Sequence, residues 1–280
     1  MLIAHNKVRI VATILARNEE DIIGQNIEHH LSQGVTNFIV TLNRCTDSTK
    51  SIVERYPEVV EIIEEDDDTH DQSKWVTRMA RLACKLKPDW IVHLDADEFW
   101  CGLQKLSLFT TPAISSNRMF LHPPHEDGLP AMQPYLNLEG IPGLPGECKV
   151  AHKALENVII THGNHDVNTE KTFTNAVYRH HYPIRKYGQF ERKTKEGHCA
   201  LMNRNAPCPR WKLWYESWEK GELQQLYREI TSHWQEYLRS PSLDALLPII
   251  RVWSTDDVIS RISLLNGTSD IVVGRWSFSG

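Results

Sequence analysis

The sequence predicts an α/β fold: a mixed, mainly parallel sheet flanked by helices, followed by a mainly helical C-terminal extension. Three observations lead there. Short β-branched or apolar runs alternate with helix-periodic segments across residues 7–100. Each of the runs at 7–15, 37–42 and 90–94 ends in a polar loop rather than a tight hairpin turn, as parallel strands joined by helices require. Beyond residue 204 strand signals give way to tryptophans at helical spacing. Expected boundaries are residues 1–204 for the α/β domain and 205–280 for the extension.

Lys7 to Leu15 is β-branched and apolar and reads as the first buried strand. Glu19, Glu20 and Asp21 then open a segment with Ile22, Ile23, Ile27 and Leu31 at helical spacing, closed by Gly34. Asn37 to Leu42 is the second strand, and Asn43 to Thr49 a polar loop rich in N-cap residues before a helix over Lys50 to Arg55. Val59 to Ile63 is the third strand. An acidic loop leads to an amphipathic helix carrying Trp75, Met79, Leu82 and Leu86, closed by Pro88. Trp90 to Leu94 is the fourth strand. Later strands are expected at Met119 to Leu121, Asn157 to Thr161 and Ala176 to Tyr182, with prolines and glycines crowding a long loop over 129–146. In the extension, residues 208–239 read as helix interrupted by Gly221, and Asp256 to Leu265 as an amphipathic helix. Its tryptophans form a packing stripe, a sugar-stacking platform or a membrane-surface anchor.

Composition narrows the function. With 280 residues, 41% hydrophobic and 24% charged, the chain is an ordinary globular protein able to bury a full core. A formal charge of −5 argues against nucleic acid as the main partner. No apolar run is long enough for a membrane span and no leader is evident, so a cytoplasmic location is expected, with peripheral membrane contact left open. Six scattered cysteines without Cys-x-x-Cys are expected to be reduced thiols.

The fourth strand runs straight into Asp95, Asp97 and Glu98 before Phe99 and Trp100. Three acids this close to apolar residues repel one another unless a cation lies between them, and Mg²⁺ or Mn²⁺ suits such oxygen ligands. The competing reading is a solvated acidic turn. Glu98 either tunes the site or solvates its rim. In parallel sheets ligands bind beyond the carboxyl ends of the strands, and residues 16–19, 43–47 and 95–98 all lie at such ends. No Gly-x-Gly-x-x-Gly follows the first strand and no P-loop is present, which disfavours dinucleotide-binding and P-loop enzymes.

Four stretches together resemble the family 2-type glycosyltransferases of the A-type, Rossmann-like nucleotide-sugar-binding fold. They are Leu15-Ala16-Arg17-Asn18-Glu19-Glu20, Asn43 to Thr49, His93-Leu94-Asp95-Ala96-Asp97-Glu98-Phe99, and His180-His181-Tyr182-Pro183-Ile184-Arg185 with Gln189-Phe190 and Gly197. The ordered match spans residues 8–200 and resembles the subgroup with a Leu-Asp-Ala-Asp-Glu-Phe motif. It departs at Asn43, where the family usually has Asp. The resemblance implies a metal-dependent transferase that moves a sugar from a UDP- or GDP-sugar to a glycan or other hydroxyl acceptor. It implies that Asp95 faces ribose and metal, that Asp97 ligates the metal, and that Ala16, Arg17, Glu19 and Asn43 lie along the nucleotide.

Other residues are candidates on their own chemistry. One of His180 and His181, with His181 preferred, could complete the metal shell, and Arg185 could meet pyrophosphate. Arg78 could reach phosphate from the helix before the acidic strand; its competing reading is a surface cation. An inverting transfer needs a general base. Asp166 is expected in that role, with Glu126 and Asp127 as substitutes; the competing reading of Asp166 is a turn cap. The alternatives to a transferase are a nucleotidyltransferase and a non-catalytic carbohydrate-binding module.

Overall fold

A computed structural model describes residues 8–68, 71–125, 136–137, 148–203, 209–242, 244–246 and 248–249. The chain divides into two compact units, residues 1–119 with 146–181 and residues 120–145 with 182–280.

The first unit is a mixed α/β layer structure. Its strands are β1 (Ile10–Ala16), β2 (Val35–Asn43), β3 (Val59–Glu65), β4 (Trp90–Asp95), β5 (Glu98–Cys101) and β6 (Ala113–Ser116). The central sheet also uses β9 (Lys149–His152) and β10 (Lys171–Phe173), in the order β10-β6-β9-β4-β1-β2-β3. All neighbours are parallel except β9, which runs antiparallel to both β4 and β6. Helices α1 (Ile23–Ser32), α2 (Thr49–Val53) and α3 (Gln72–Lys85) cover it.

Alternation along β1 explains why both faces are apolar. Ile10, Ala12, Ile14 and Ala16 join Ile23 and Ile27 of α1 and Val53 of α2 in one core, while Val11 and Leu15 join Trp75, Val76, Met79, Ala80 and Ala83 of α3 in another. Fully burying each large side chain of that α3 stripe is worth about 1.5–3 kcal/mol. Asp71 caps α3 by accepting the Lys74 N–H, and Lys87 with a φ of 52° turns the chain before Pro88.

The expected strand over Asn157 to Thr161 does not form; only an isolated bridge, Ile160 to Val167, is present. Its backbone is satisfied by side chains instead: Asn168 Oδ1 accepts the Ile159 N–H, Thr77 Oγ1 accepts the Ile160 N–H, and Ser73 donates to the Ile160 carbonyl. A second pairing in this unit joins β5 to β11 (Tyr178–His181), antiparallel, with His181 opposite Glu98 and Arg179 opposite Trp100.

In the second unit, β7 (Met119–Leu121, entering from the first unit) pairs with β8 (Leu136–Asn137). The helices are α4 (Tyr187–Asn203), α5 (Pro209–Glu219) and α6 (Leu223–Arg239). The tryptophans are largely packing residues: Trp214 and Trp234 are buried, and Trp211 lies so close to Gly197 that a Cβ there would meet its ring at 2.3 Å. Among the described residues no helix is long and apolar enough to cross a membrane. The expected helix at 256–265, the loop over 129–146 except for β8, and both Glu126 and Asp127 lie outside the described residues.

Candidate functional site

The first unit gathers its polar loops at the carboxyl ends of β4, β1 and β2, which are adjacent strands. Asn18, with a φ of 53°, accepts the Thr46 N–H at 2.8 Å and the Asp47 N–H at 3.3 Å. Glu20 accepts the Ser48 N–H, and the Glu19 N–H donates to Thr49 Oγ1. Ala16 is buried at the end of β1 and its carbonyl faces Cys45 Sγ; Arg17 is half-buried just beyond. Asn43 is buried, and its amide donates to the carbonyls of Glu65 and Asp67. A carboxylate could not donate, so these two bonds call for an amide rather than Asp at this position. Arg78 pairs with Glu65 at 3.0 Å in the same region.

The acidic turn is clamped from α1. Asn26 is fully buried and donates to the carbonyls of Ala96 and Glu98 at 3.0 and 2.9 Å. His30 Nδ1 donates to the Asn26 carbonyl, so its Nε2 accepts the Trp100 N–H at 3.1 Å. Burial first, then the neighbouring His29, pushes His30 down to about 3.

Protein cations, unforeseen in the sequence, neutralise two of the three acids. Lys149, with a side chain only 5% exposed, donates to Asp95 and lies 3.4 Å from Glu98. Arg179, from β11, pairs with Glu98 at 3.1 Å. Glu98 is therefore no rim acid: it is buried, and although burial acts hardest to raise its pKa, Lys149 and Arg179 together hold it below the usual carboxylate value. Asp95 also accepts from Gln72 Nε2 at 3.1 Å and Asn164 Nδ2 at 3.0 Å. These three donors leave about one of the four acceptor positions of the Asp95 carboxylate open to a ligand. Among the described residues no group of three or more His, Cys, Asp or Glu is assembled for a metal.

Asp97 and His181 do converge. Asp97 Oδ2 and His181 Nε2 stand 3.6 Å apart, too far for a hydrogen bond. Adjacent octahedral ligands at about 2.0–2.1 Å from one cation lie roughly 3 Å apart, so the pair would close by about half an ångström to share a Mg²⁺ or Mn²⁺ ion. Alternation on β11 turns His180 the other way, beside Tyr178, where burial and then His29 lower it to about 4.

Below the acids, β4 and β9 carry a closed polar chain. His152 Nδ1 donates to the Lys153 carbonyl, so His152 Nε2 accepts from His93 Nε2 at 3.0 Å, and His93 Nδ1 accepts from Thr13 at 2.8 Å. Both rings are thereby fixed as neutral. Burial lowers His152 to about 4, and burial, His152 and Lys149 together push His93 far down.

The segment after the failed strand folds onto Asp95. Gly163 and Asn164 have φ values of 74° and 59°, the Gly163 N–H donates to Gln72 Oε1, and Asn164 reaches Asp95. Asp166 is half-exposed and pairs with Lys171 at 2.5 Å; that bond, above all, keeps its carboxyl below the usual value. Arg185 belongs to the second unit, where it is buried, with its guanidinium donating to the Tyr182 carbonyl and its own carbonyl accepting from His125 N–H and Tyr227 Oη.

No family model and no curated protein matches the sequence. Solved structures do match. TarS 1-349 from S. aureus in complex with UDP-GlcNAc is 12% identical, with 91% of this chain and 81% of that one covered at a TM-score of 0.41. The mannosyltransferase PcManGT from Pyrobaculum calidifontis in complex with GDP-Man and Mn²⁺ is 12% identical, with 95% and 89% covered at 0.39. HddC from Yersinia pseudotuberculosis is 16% identical at 0.30, and the match covers 38% of this chain and 57% of HddC. Likenesses this slight carry neither substrate nor mechanism.

Proposed function

We propose that this chain is a glycosyltransferase that moves a sugar from a nucleoside-diphosphate sugar to an acceptor hydroxyl with a divalent cation held by Asp97 and His181. The observation that carries the reading is that pair, 3.6 Å apart, Asp97 on the turn between β4 and β5 and His181 at the end of β11. Bound there, Mn²⁺ or Mg²⁺ supplies a Lewis acid for the charge that grows on the leaving diphosphate. Asp95 has one carboxylate lone pair left by its three donors and a side chain 30% exposed, which suits a ribose hydroxyl rather than the metal. Arg17 and Glu19 line the adjoining loop. Inversion at the anomeric carbon is the outcome this reading carries.

Calorimetry with UDP, GDP and their sugars, with and without Mn²⁺, tests the proposal. Binding of one nucleotide that strengthens with Mn²⁺ supports it. Indifference to nucleotide and metal alike sinks it in favour of a carbohydrate-binding module, and release of pyrophosphate from a nucleoside triphosphate sinks it in favour of a nucleotidyltransferase.

A further inference from the structure

We propose that His165, rather than its neighbour Asp166, accepts the proton of the incoming hydroxyl, an inference that rests on the transfer reading above. The Cys148 carbonyl can only accept, so the 2.7 Å contact fixes the proton on His165 Nδ1 and leaves the lone pair on Nε2. That edge of the ring lies over the Gly163 backbone: a Cβ at Gly163 would stand 2.2 Å from Nε2, and only the absence of one lets the imidazole occupy this place. Gln72 ties the same turn to Asp95, since its Oε1 accepts from Gly163 and its Nε2 donates to Asp95. Asn164, at a left-handed φ of 59° that asparagine tolerates, adds a second tie to Asp95. The turn that carries the ring is therefore tied to Asp95 through two successive residues, Gly163 and Asn164.

The charged groups that act on the ring are Lys149, Asp95 and Glu98; the titratable neighbours on its own segment are His162 and Asp166. Burial first, then Lys149, lowers the imidazole below its usual value, which keeps it neutral at pH 7, while Asp95 and Glu98 favour the imidazolium once formed. Asp166 is a poorer acceptor because Lys171 already holds its carboxylate.

In the step, the acceptor O–H breaks and its proton goes to Nε2. The oxygen electron pair forms the bond to the anomeric carbon, and the bond from that carbon to the diphosphate oxygen breaks with its pair staying on the diphosphate. The imidazolium afterwards returns its proton to water.

The test uses the full chain with Mn²⁺, UDP-GlcNAc, UDP-glucose and GDP-mannose as donors, and octyl glucoside or water as acceptor. His165→Asn keeps a donor for the Cys148 carbonyl but removes Nε2. Turnover is expected to fall about 10²- to 10⁴-fold with UDP or GDP affinity unchanged, to lose the fall in rate on the acid side of about pH 6.5, and to recover in part for His165→Ala on adding imidazole. Asp166→Asn is expected to stay within a few-fold of the wild type. Retained turnover in His165→Asn, or lost turnover without a changed pH profile or rescue, overturns the proposal. A wild-type chain that neither binds nucleotide nor transfers from any of these donors overturns the transfer reading itself, a result separable from the first because it needs no variant.

Discussion

Lys149 on β9 donates its ammonium to the Asp95 carboxylate at the end of β4, so the acidic turn is partly neutralised by the protein itself before any ligand arrives. Carboxylates crowded beside apolar residues need a cation, and Lys149 with Arg179 provides two for Asp95 and Glu98. Asp97, the third acid of the turn, faces His181.

Lys149→Met is expected to lower the unfolding free energy by about 3–5 kcal/mol, because it strips a buried partner from Glu98 and a donor from Asp95. Urea denaturation measures it. The double variant Lys149→Met/Glu98→Gln should recover part of the loss, since the stranded charge is then gone; a double variant as unstable as the single one would mean that lost packing, not charge, is the cause.

Asp97→Asn and His181→Ala are each expected to abolish the strengthening of nucleotide binding by Mn²⁺, while His180→Ala leaves it intact. The asymmetry follows from β11, where His181 faces Asp97 and His180 the opposite side. Titration of nucleotide at several Mn²⁺ concentrations reads it out. Equal effects of the two histidines would remove His181 from the site.

Acid should unfold this protein through its histidines. His30 at about 3, and His152 and His180 at about 4, sit below the unfolded value near 6.5, and His93 lies far below it as well. Below pH ~6.5 the unfolded chain takes up protons that the folded chain refuses, so their stabilisation is complete above that pH. It is lost as pH falls toward 4, at up to ~1.4 kcal/mol per pH unit for each histidine. Melting temperatures from pH 7.5 to 4.5 check this; a flat profile would mean that these rings charge readily in the folded state.

How much of this was legible in the sequence depends on the range of the interactions. The βα alternation through Asp95 reads directly from β-branched runs and helical spacing, because each element there buries a face whose period is local. The four-residue strands 98–101, 113–116 and 149–152 are too short to show a period, and the run at 157–161 looks like a strand yet has side chains of α3 where a neighbour strand would be. The convergence of the loops after β1, β2 and β4 followed from topology. Lys149 and Arg179 did not, since they arrive from strands 54 and 81 residues away from the acids they serve. The one local hint was a lysine opening the apolar run Lys149-Val150-Ala151. Asn26 gave no hint at all, since a polar residue on a helix ordinarily faces water.

Asn26→Leu isolates the clamp on the acidic turn. Leucine matches the shape, but the carbonyls of Ala96 and Glu98 lose a donor in a place that is closed to water. Each orphaned buried acceptor costs about 1–3 kcal/mol, so a loss of roughly 2–6 kcal/mol is expected in urea denaturation. If the clamp only stabilises the fold, Mn²⁺-dependent nucleotide binding by the folded fraction will match the wild type. If it also sets where Asp97 stands relative to His181, that binding will weaken at temperatures where circular dichroism shows the variant fully folded. The second result is expected, because the two carbonyls that Asn26 holds flank Asp97 on either side in the chain.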